Sequence, residues 1–153
     1  IGGNTLFANM TKAFADLSEG MKNTLRPLNA VHDFEVAART QYAKPIVVED
    51  DMAGANRAVH PLVRTHDETG EESLFVNPGF TSHIDGFDAD ESRWILEPLY
   101  RHATRPEYIY RHQWQPHDVL VWDNRSLMHY AIADYGDAPR YLERTTCMGE
   151  RPV

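Results

Sequence analysis

Apolar and polar positions along this chain switch between a period near two and a period near 3.6, and the switches predict its elements. Thr5 to Ala8 leaves a Gly-Gly turn and reads as a short strand, while Met10 to Leu17 has helical composition with Phe14 and Leu17 on one face. Ser18 is placed to cap a second short helix through Met21 and Leu25. That helix ends before Pro27, because proline pushes the preceding residue out of the helical region. Ala30 to Phe34 predicts a strand. Glu35 to Val59 keeps no period and includes Met52-Ala53-Gly54-Ala55-Asn56, so it reads as a loop or lid with at most local helix.

Further on, Leu62 to Thr65 and Ser73 to Val76 flank the turn-rich Asp67-Glu68-Thr69-Gly70-Glu71, the pattern of a hairpin. A helix begins at Asp90, with Ile95, Leu96, Leu99, Tyr100 and Ala103 at helical spacing and Asp90 and Glu91 at its positive end. Pro98 removes one backbone bond there and is expected to bend or split it. Tyr108, Tyr110, His112 and Trp114 then alternate with Ile109, Arg111 and Gln113 as in a half-buried strand. Gln115 to Asp118 makes a tight turn, and Val119 to Trp122 predicts a strongly apolar strand. Period two over Arg140 to Met148 predicts another, with Arg140, Leu142, Arg144 and Thr146 on one face. The fold class implied is mainly β with helices, an antiparallel core with helical support.

Composition narrows the picture. With 153 residues, 42% of them hydrophobic, the chain is long enough for one globular domain with a core of its own. A net charge of −8 and a pI near 5.4 exclude a general nucleic-acid binder, because phosphate neutralisation needs clustered positive charge. Cys147 is the only cysteine, which rules out an internal disulfide and a thiolate cage and fits a cytoplasmic location. No apolar run is long enough for a membrane span.

Candidate chemistry gathers in the last third. Trp122-Asp123-Asn124-Arg125 leads to His129, and Arg140 and Arg144 follow eleven and fifteen residues later. A neutral imidazole can hold a metal, and a guanidinium fork matches a carboxylate. Each residue also has a plainer reading. A lone histidine is more often structural than ligating, the two arginines can form a surface ion-pair ladder with Glu143, and Thr5 suits any strand.

Taken together the motifs are more specific. The run Trp122-Asp123-Asn124-Arg125-Ser126-Leu127-Met128-His129, followed by Arg140-Tyr141-Leu142-Glu143-Arg144-Thr145-Thr146, resembles the end of the Fe(II)/2-oxoglutarate-dependent dioxygenases of the taurine dioxygenase and 2,4-D dioxygenase (TauD/TfdA) family. Gly2-Gly3-Asn4-Thr5-Leu6-Phe7, Val31-His32-Asp33-Phe34, His60-Pro61-Leu62-Val63-Arg64-Thr65-His66 and Leu74-Phe75-Val76-Asn77-Pro78-Gly79-Phe80-Thr81 are similar to the same family in the same order. Only Glu35 to Val59 has no counterpart.

The resemblance implies a double-stranded β-helix, or jelly-roll, core, and identifies residues 1–153 as the C-terminal portion of a single such domain. It implies that His129 is the distal histidine of a two-histidine, one-carboxylate iron triad. Arg140 and Thr5 would grip the far carboxylate of 2-oxoglutarate, with Arg144 near the co-substrate and facing the substrate's anionic group. Asn77 and Phe80 fall in a loop that resembles one bordering the substrate pocket. The family's other two ligands form a His-x-Asp or His-x-Glu motif upstream of Gly-Gly-x-Thr, hence expected before Ile1. A chain holding one ligand of three is expected to bind iron poorly and turn over little by itself.

Two internal motifs mimic those ligands. His83-Ile84-Asp85 and His66-Asp67-Glu68 have the right spacing but lie where the family has no metal ligand. Trp114, Trp122, Phe75 and Phe80 could line a substrate wall, although core aromatics are the plainer reading. The function implied is an oxygen-consuming dioxygenase that hydroxylates a small anionic substrate and releases succinate and carbon dioxide. Taurine or another alkylsulfonate is favoured. Against taurine, Glu35-Val36-Ala37-Ala38-Arg39 lacks the aromatic pocket residue of taurine dioxygenases, which leaves a sulfate ester, a phenoxyacetate or another small carboxylate open. The alternative is a non-catalytic β-barrel that binds a small anion. A zinc hydrolase is disfavoured because hydrolysis gives Arg140 and Thr5 no co-substrate to hold. A homo-oligomer stays open.

Overall fold

A computed structural model describes residues 2–36, 57–149 and 152 of the chain. Strand β1 (Thr5–Asn9) runs directly into helix α1 (Met10–Ala15), and α2 (Glu19–Leu25) follows one turn later. Each helix starts where a short polar side chain satisfies an orphan amide: Asn9 accepts from Lys12, and Ser18 from Met21. Strands β2 (Asn29–Asp33), β3 (Arg57–Pro61), β4 (Val63–Thr65), β5 (Glu72–Leu74) and β6 (Thr81–Ile84) come next. Helix α3 (Ala89–Ala103), a 3-10 turn at Pro106–Tyr108, β7 (Ile109–His112) and β8 (Leu127–Ala131) complete the order.

All strand pairings are antiparallel. One sheet has the order β7-β1-β8, a second β3-β2-β6, and β4 with β5 forms the expected hairpin. Backbone bonds from Leu62 to the Leu28 carbonyl and from Phe75 to the Leu62 carbonyl tie the hairpin to the second sheet. Between the sheets lies a core of Ala8, Phe14, Leu25, Leu62, Leu74, Ile84, Leu96 and Leu99. Full burial of such a side chain contributes roughly 1.5–3 kcal/mol, against about 0–1 kcal/mol for an exposed ion pair. The helix-backed core, and not the charged surface, therefore holds the sheets in place.

Four sequence expectations change. Arg57 to Val59, expected within a loop, forms most of β3 and pairs with β2, with Val31 opposite Val59; of the remaining positions of that loop, residues 37–56 fall outside the described residues. Pro98 does not split α3. It lies on the exposed side of the helix, where the carbonyl left without a partner can bond water, and the Asp88/Glu91 capping box secures the start. Val119 to Trp122 and Arg140 to Met148 are not strands. A strand needs another strand to take its backbone groups, and among the described residues neither segment has one, so Val119 and Val121 stand 89% exposed.

In the second sheet, His32 packs against the His60 and Phe75 rings at 5.4 and 5.3 Å. Burial, and then the neighbouring His60, push its imidazole down to about 4. The folded state thus prefers neutral His32, whereas the unfolded chain protonates it near 6.5. This contribution is present above pH 6.5 and is lost as pH falls from 6.5 toward 4. Denaturant melts across that window should show stability falling with pH in the native chain and a flatter profile in His32→Phe; equal slopes would exclude His32 as the source.

Candidate functional site

Strand β1 places the site residues by its register. Phe7 lies opposite Tyr110 of β7 on one side and His129 of β8 on the other, and Thr5 lies opposite His112 and Ala131. Directly paired residues share a sheet face, so Thr5, Phe7, Tyr110, His112 and His129 all point the same way. The Phe7, Trp122 and His129 rings form a triangle with centroid separations of 5.3, 5.2 and 6.1 Å. A shallow cavity of about 310 Å³ opens beside them, lined in part by Tyr108, Leu120 and Leu127.

His129 borders open space on this face, yet the two rings strip water from much of it. Burial first, and then the Arg144 guanidinium, lower its pKa. The result is a neutral imidazole with a free lone pair, the form a metal requires. Arg144 is therefore within electrostatic reach of His129 although it is exposed and belongs to no strand.

Arg140 comes in from the far end of the chain. Its Nε donates to the Gly3 carbonyl at 3.0 Å, its Nη2 to the Thr5 hydroxyl at 3.5 Å, and its guanidinium lies 5.9 Å from the Tyr135 ring centre. The Gly-Gly turn makes this approach possible. Gly3 has φ +68°, and a Cβ there would sit 2.9 Å from Arg140 Cδ and Nε. Asp134 closes the other side by accepting the Gly3 amide while pairing with Arg111 at 3.3 Å. Thr5 also accepts the Trp114 indole N–H at 2.9 Å.

A second charged network fixes the start of β8. Asp123 accepts from the Arg125 amide and guanidinium, and its main-chain carbonyl accepts the Leu127 amide. Arg125 also reaches Asp67 and Glu68 at the hairpin tip. The Arg125 guanidinium holds the Asp123 carboxyl far below the usual carboxylate range, and the carboxylates around it raise Arg125 in turn. Buried His66 completes the link: Nδ1 accepts the Glu68 and Thr69 amides, so Nε2 carries the proton and donates to Asp123 at 3.1 Å. Both nitrogens of His66 are thereby committed to structure.

The sequence-predicted residues divide accordingly. Arg140 reaches Thr5 on the sheet face that also bears His129, and Arg144 enters only through its charge, which helps to lower the His129 pKa. Asn77 and Phe80 are in the turn ahead of β6 in the other sheet, where Asn77 accepts the Gly79 amide and the Phe80 carbonyl accepts from Asp33. His83 is on β6 and contacts Ser82. Among the described residues no three histidine, cysteine or acidic side chains cluster closely enough to hold a metal. Sequence reasoning missed Asp134, which no motif marks, and treated Trp114 as a core aromatic. The alternation of Tyr110, His112 and Trp114 was the available signal that Trp114 faces Thr5's side.

Together the antiparallel sheets and the helices that back them form part of a jelly-roll type of protein. The chain belongs to the taurine catabolism dioxygenase TauD, TfdA family, whose model matches residues 1–146. It is 37% identical to an alkylsulfatase of Acinetobacter baylyi, over 97% of this chain and 49% of that protein. It is 35% identical to an alpha-ketoglutarate-dependent sulfate ester dioxygenase of Pseudomonas putida, over 99% of this chain and 52% of that one. The crystal structure of AAD-2 in complex with Mn(II) and N-oxalylglycine superposes with a TM-score of 0.75 at 31% identity, covering 86% of this chain and 51% of that one. The chain spans about half the length of the curated relatives it matches.

Gly3→Ala tests the clamp's geometry. Strain at positive φ together with displacement of Arg140 should cost roughly 1–3 kcal/mol, read as a lower denaturation midpoint; an unchanged midpoint would show that the close approach is not required.

Proposed function

We propose that this chain forms the C-terminal portion of an Fe(II)- and 2-oxoglutarate-dependent dioxygenase acting on a small organic anion. One observation carries the reading: Arg140 and Thr5 meet at 3.5 Å on the sheet face that also bears His129. A buried hydroxyl and a guanidinium fork make a receptor for a carboxylate. A neutral imidazole two residues along the same face is a receptor for a metal. The relatives named for alpha-ketoglutarate, and the neighbour holding Mn(II) with N-oxalylglycine, support assigning those roles here.

Iron(II), when bound, supplies the activation of oxygen that splits 2-oxoglutarate into succinate and carbon dioxide and leaves one oxygen atom for the substrate. The chain's own residues bind and orient. Arg140 pairs with the far carboxylate of 2-oxoglutarate while Thr5 donates its hydroxyl proton to it, which directs the keto end toward His129. Phe7 and Trp122 pack against the imidazole and orient its ring. Arg144, whose charge already reaches His129, is the group for the substrate's anionic head. The other two iron ligands are assigned upstream of Ile1, and Asn77 and Phe80 to the substrate side. An alkylsulfonate such as taurine remains the favoured substrate, and the relative named for sulfate esters supports the same small sulfur oxyanion class.

In the protein carrying this chain, Arg140→Ala should weaken 2-oxoglutarate binding by about 100-fold, in line with the loss of a bidentate charged pair, with iron still bound. Unchanged co-substrate affinity would refute the clamp. His129→Ala should abolish iron-dependent succinate release, and a fully active variant would remove His129 from the site. Succinate assays with taurine, an alkyl sulfate and a phenoxyacetate would then choose the substrate.

A further inference from the structure

Trp114 lies outside every motif that carries the family resemblance, yet its indole N–H makes the shorter of the two bonds to the Thr5 hydroxyl, 2.9 Å against 3.5 Å from Arg140. Thr5 is buried, and a hydroxyl has two lone pairs and one proton. Indole and guanidinium are donors only. With both lone pairs engaged, the oxygen can accept nothing more, and among the described residues no acceptor takes its proton. Thr5 is thus left as a donor in search of an acceptor.

We infer that Trp114 is a positioning residue of the co-substrate site: by donating to Thr5 it fixes the polarity of that hydroxyl, so that the clamp accepts a carboxylate and disfavours a ligand offering a donor. This rests on the dioxygenase reading and adds to it. The ring is well placed for the task. It lies two residues past the end of β7, makes an edge contact with His112 at 4.5 Å, and His112 is itself held by Asp118 at 3.1 Å. Its orientation is therefore set by packing before any ligand arrives. Without the indole the hydroxyl can rotate and accept from Arg140 through either lone pair, which leaves the other free to accept from a ligand, and its bias toward donating to a carboxylate is lost.

Two measurements test this. In the 15N spectrum of the chain, Thr5→Val should shift the indole N–H resonance that Trp114→Phe removes, with the other indole signals unmoved; no shift would mean that the bond does not form and would overturn the inference. In calorimetric titrations of 2-oxoglutarate into the metal-loaded protein, Trp114→Phe should weaken binding about tenfold, the scale of one lost hydrogen bond to a charged group. In a Thr5→Val background the same change should have almost no further effect, because the two residues act as one unit. Additive losses would make Trp114 merely structural and overturn the proposal. Arg140→Ala run alongside separates the failures. If it loses binding while Trp114→Phe does not, only the Trp114 role falls; if it too binds normally, the dioxygenase reading falls with it.

Discussion

The antiparallel register of β1 between β7 and β8 is the constraint on which the site depends. It fixes Thr5 two residues from the Phe7–His129 pair and aims both toward the same open face. A slip of one residue would turn Thr5 and Phe7 away together, because strand side chains alternate. The register is held at both ends. Met10 donates to the Ser126 carbonyl just beyond one end of the pairing, and Ile132 to the Asn4 carbonyl beyond the other. On the reverse face, Ala8 is buried in the helix-backed core, which fixes which side of β1 faces inward.

Two charged assemblies then join distant parts of the chain to this sheet. Arg140 and Asp134 enclose the Gly3 peptide, one at its carbonyl and one at its amide. Arg125, Asp123 and His66 tie the hairpin tip to the turn that launches β8. Most of these groups are partly exposed, so their value lies in geometry more than in stability. His66 is the exception, a buried imidazole whose two nitrogens are both used. The same residue looked like half of a metal motif in the sequence, and its partners explain why spacing alone misleads.

The apolar stretch Val119 to Val121 and the run from Tyr141 to Met148 show where periodicity overreaches. Both have strand-like patterns, and both stay extended or irregular with large side chains in the open. Pattern reports which residues suit a sheet, but only a neighbouring strand creates one. Arg57 to Val59 is the reverse case. Its sequence carries no alternation, and pairing with β2 makes it a strand regardless.

Local chemistry made much of the molecule legible in the sequence. The caps at Ser18 and near Asp90, the hairpin around Gly70 and the apolar stripe of α3 depend on neighbours within a turn or two, so the sequence alone determined them. The family motifs likewise marked Thr5, His129, Arg140 and Arg144. Tertiary structure decided that Arg140 reaches Thr5 on the face bearing His129, that Trp114 and Asp134 join them, and that His66 and His83 do not. The contacts responsible span more than 100 residues of chain, as between Thr5 and Trp114 or Gly3 and Asp134. No local preference encodes such a contact, because it forms only once the sheets and their core have folded.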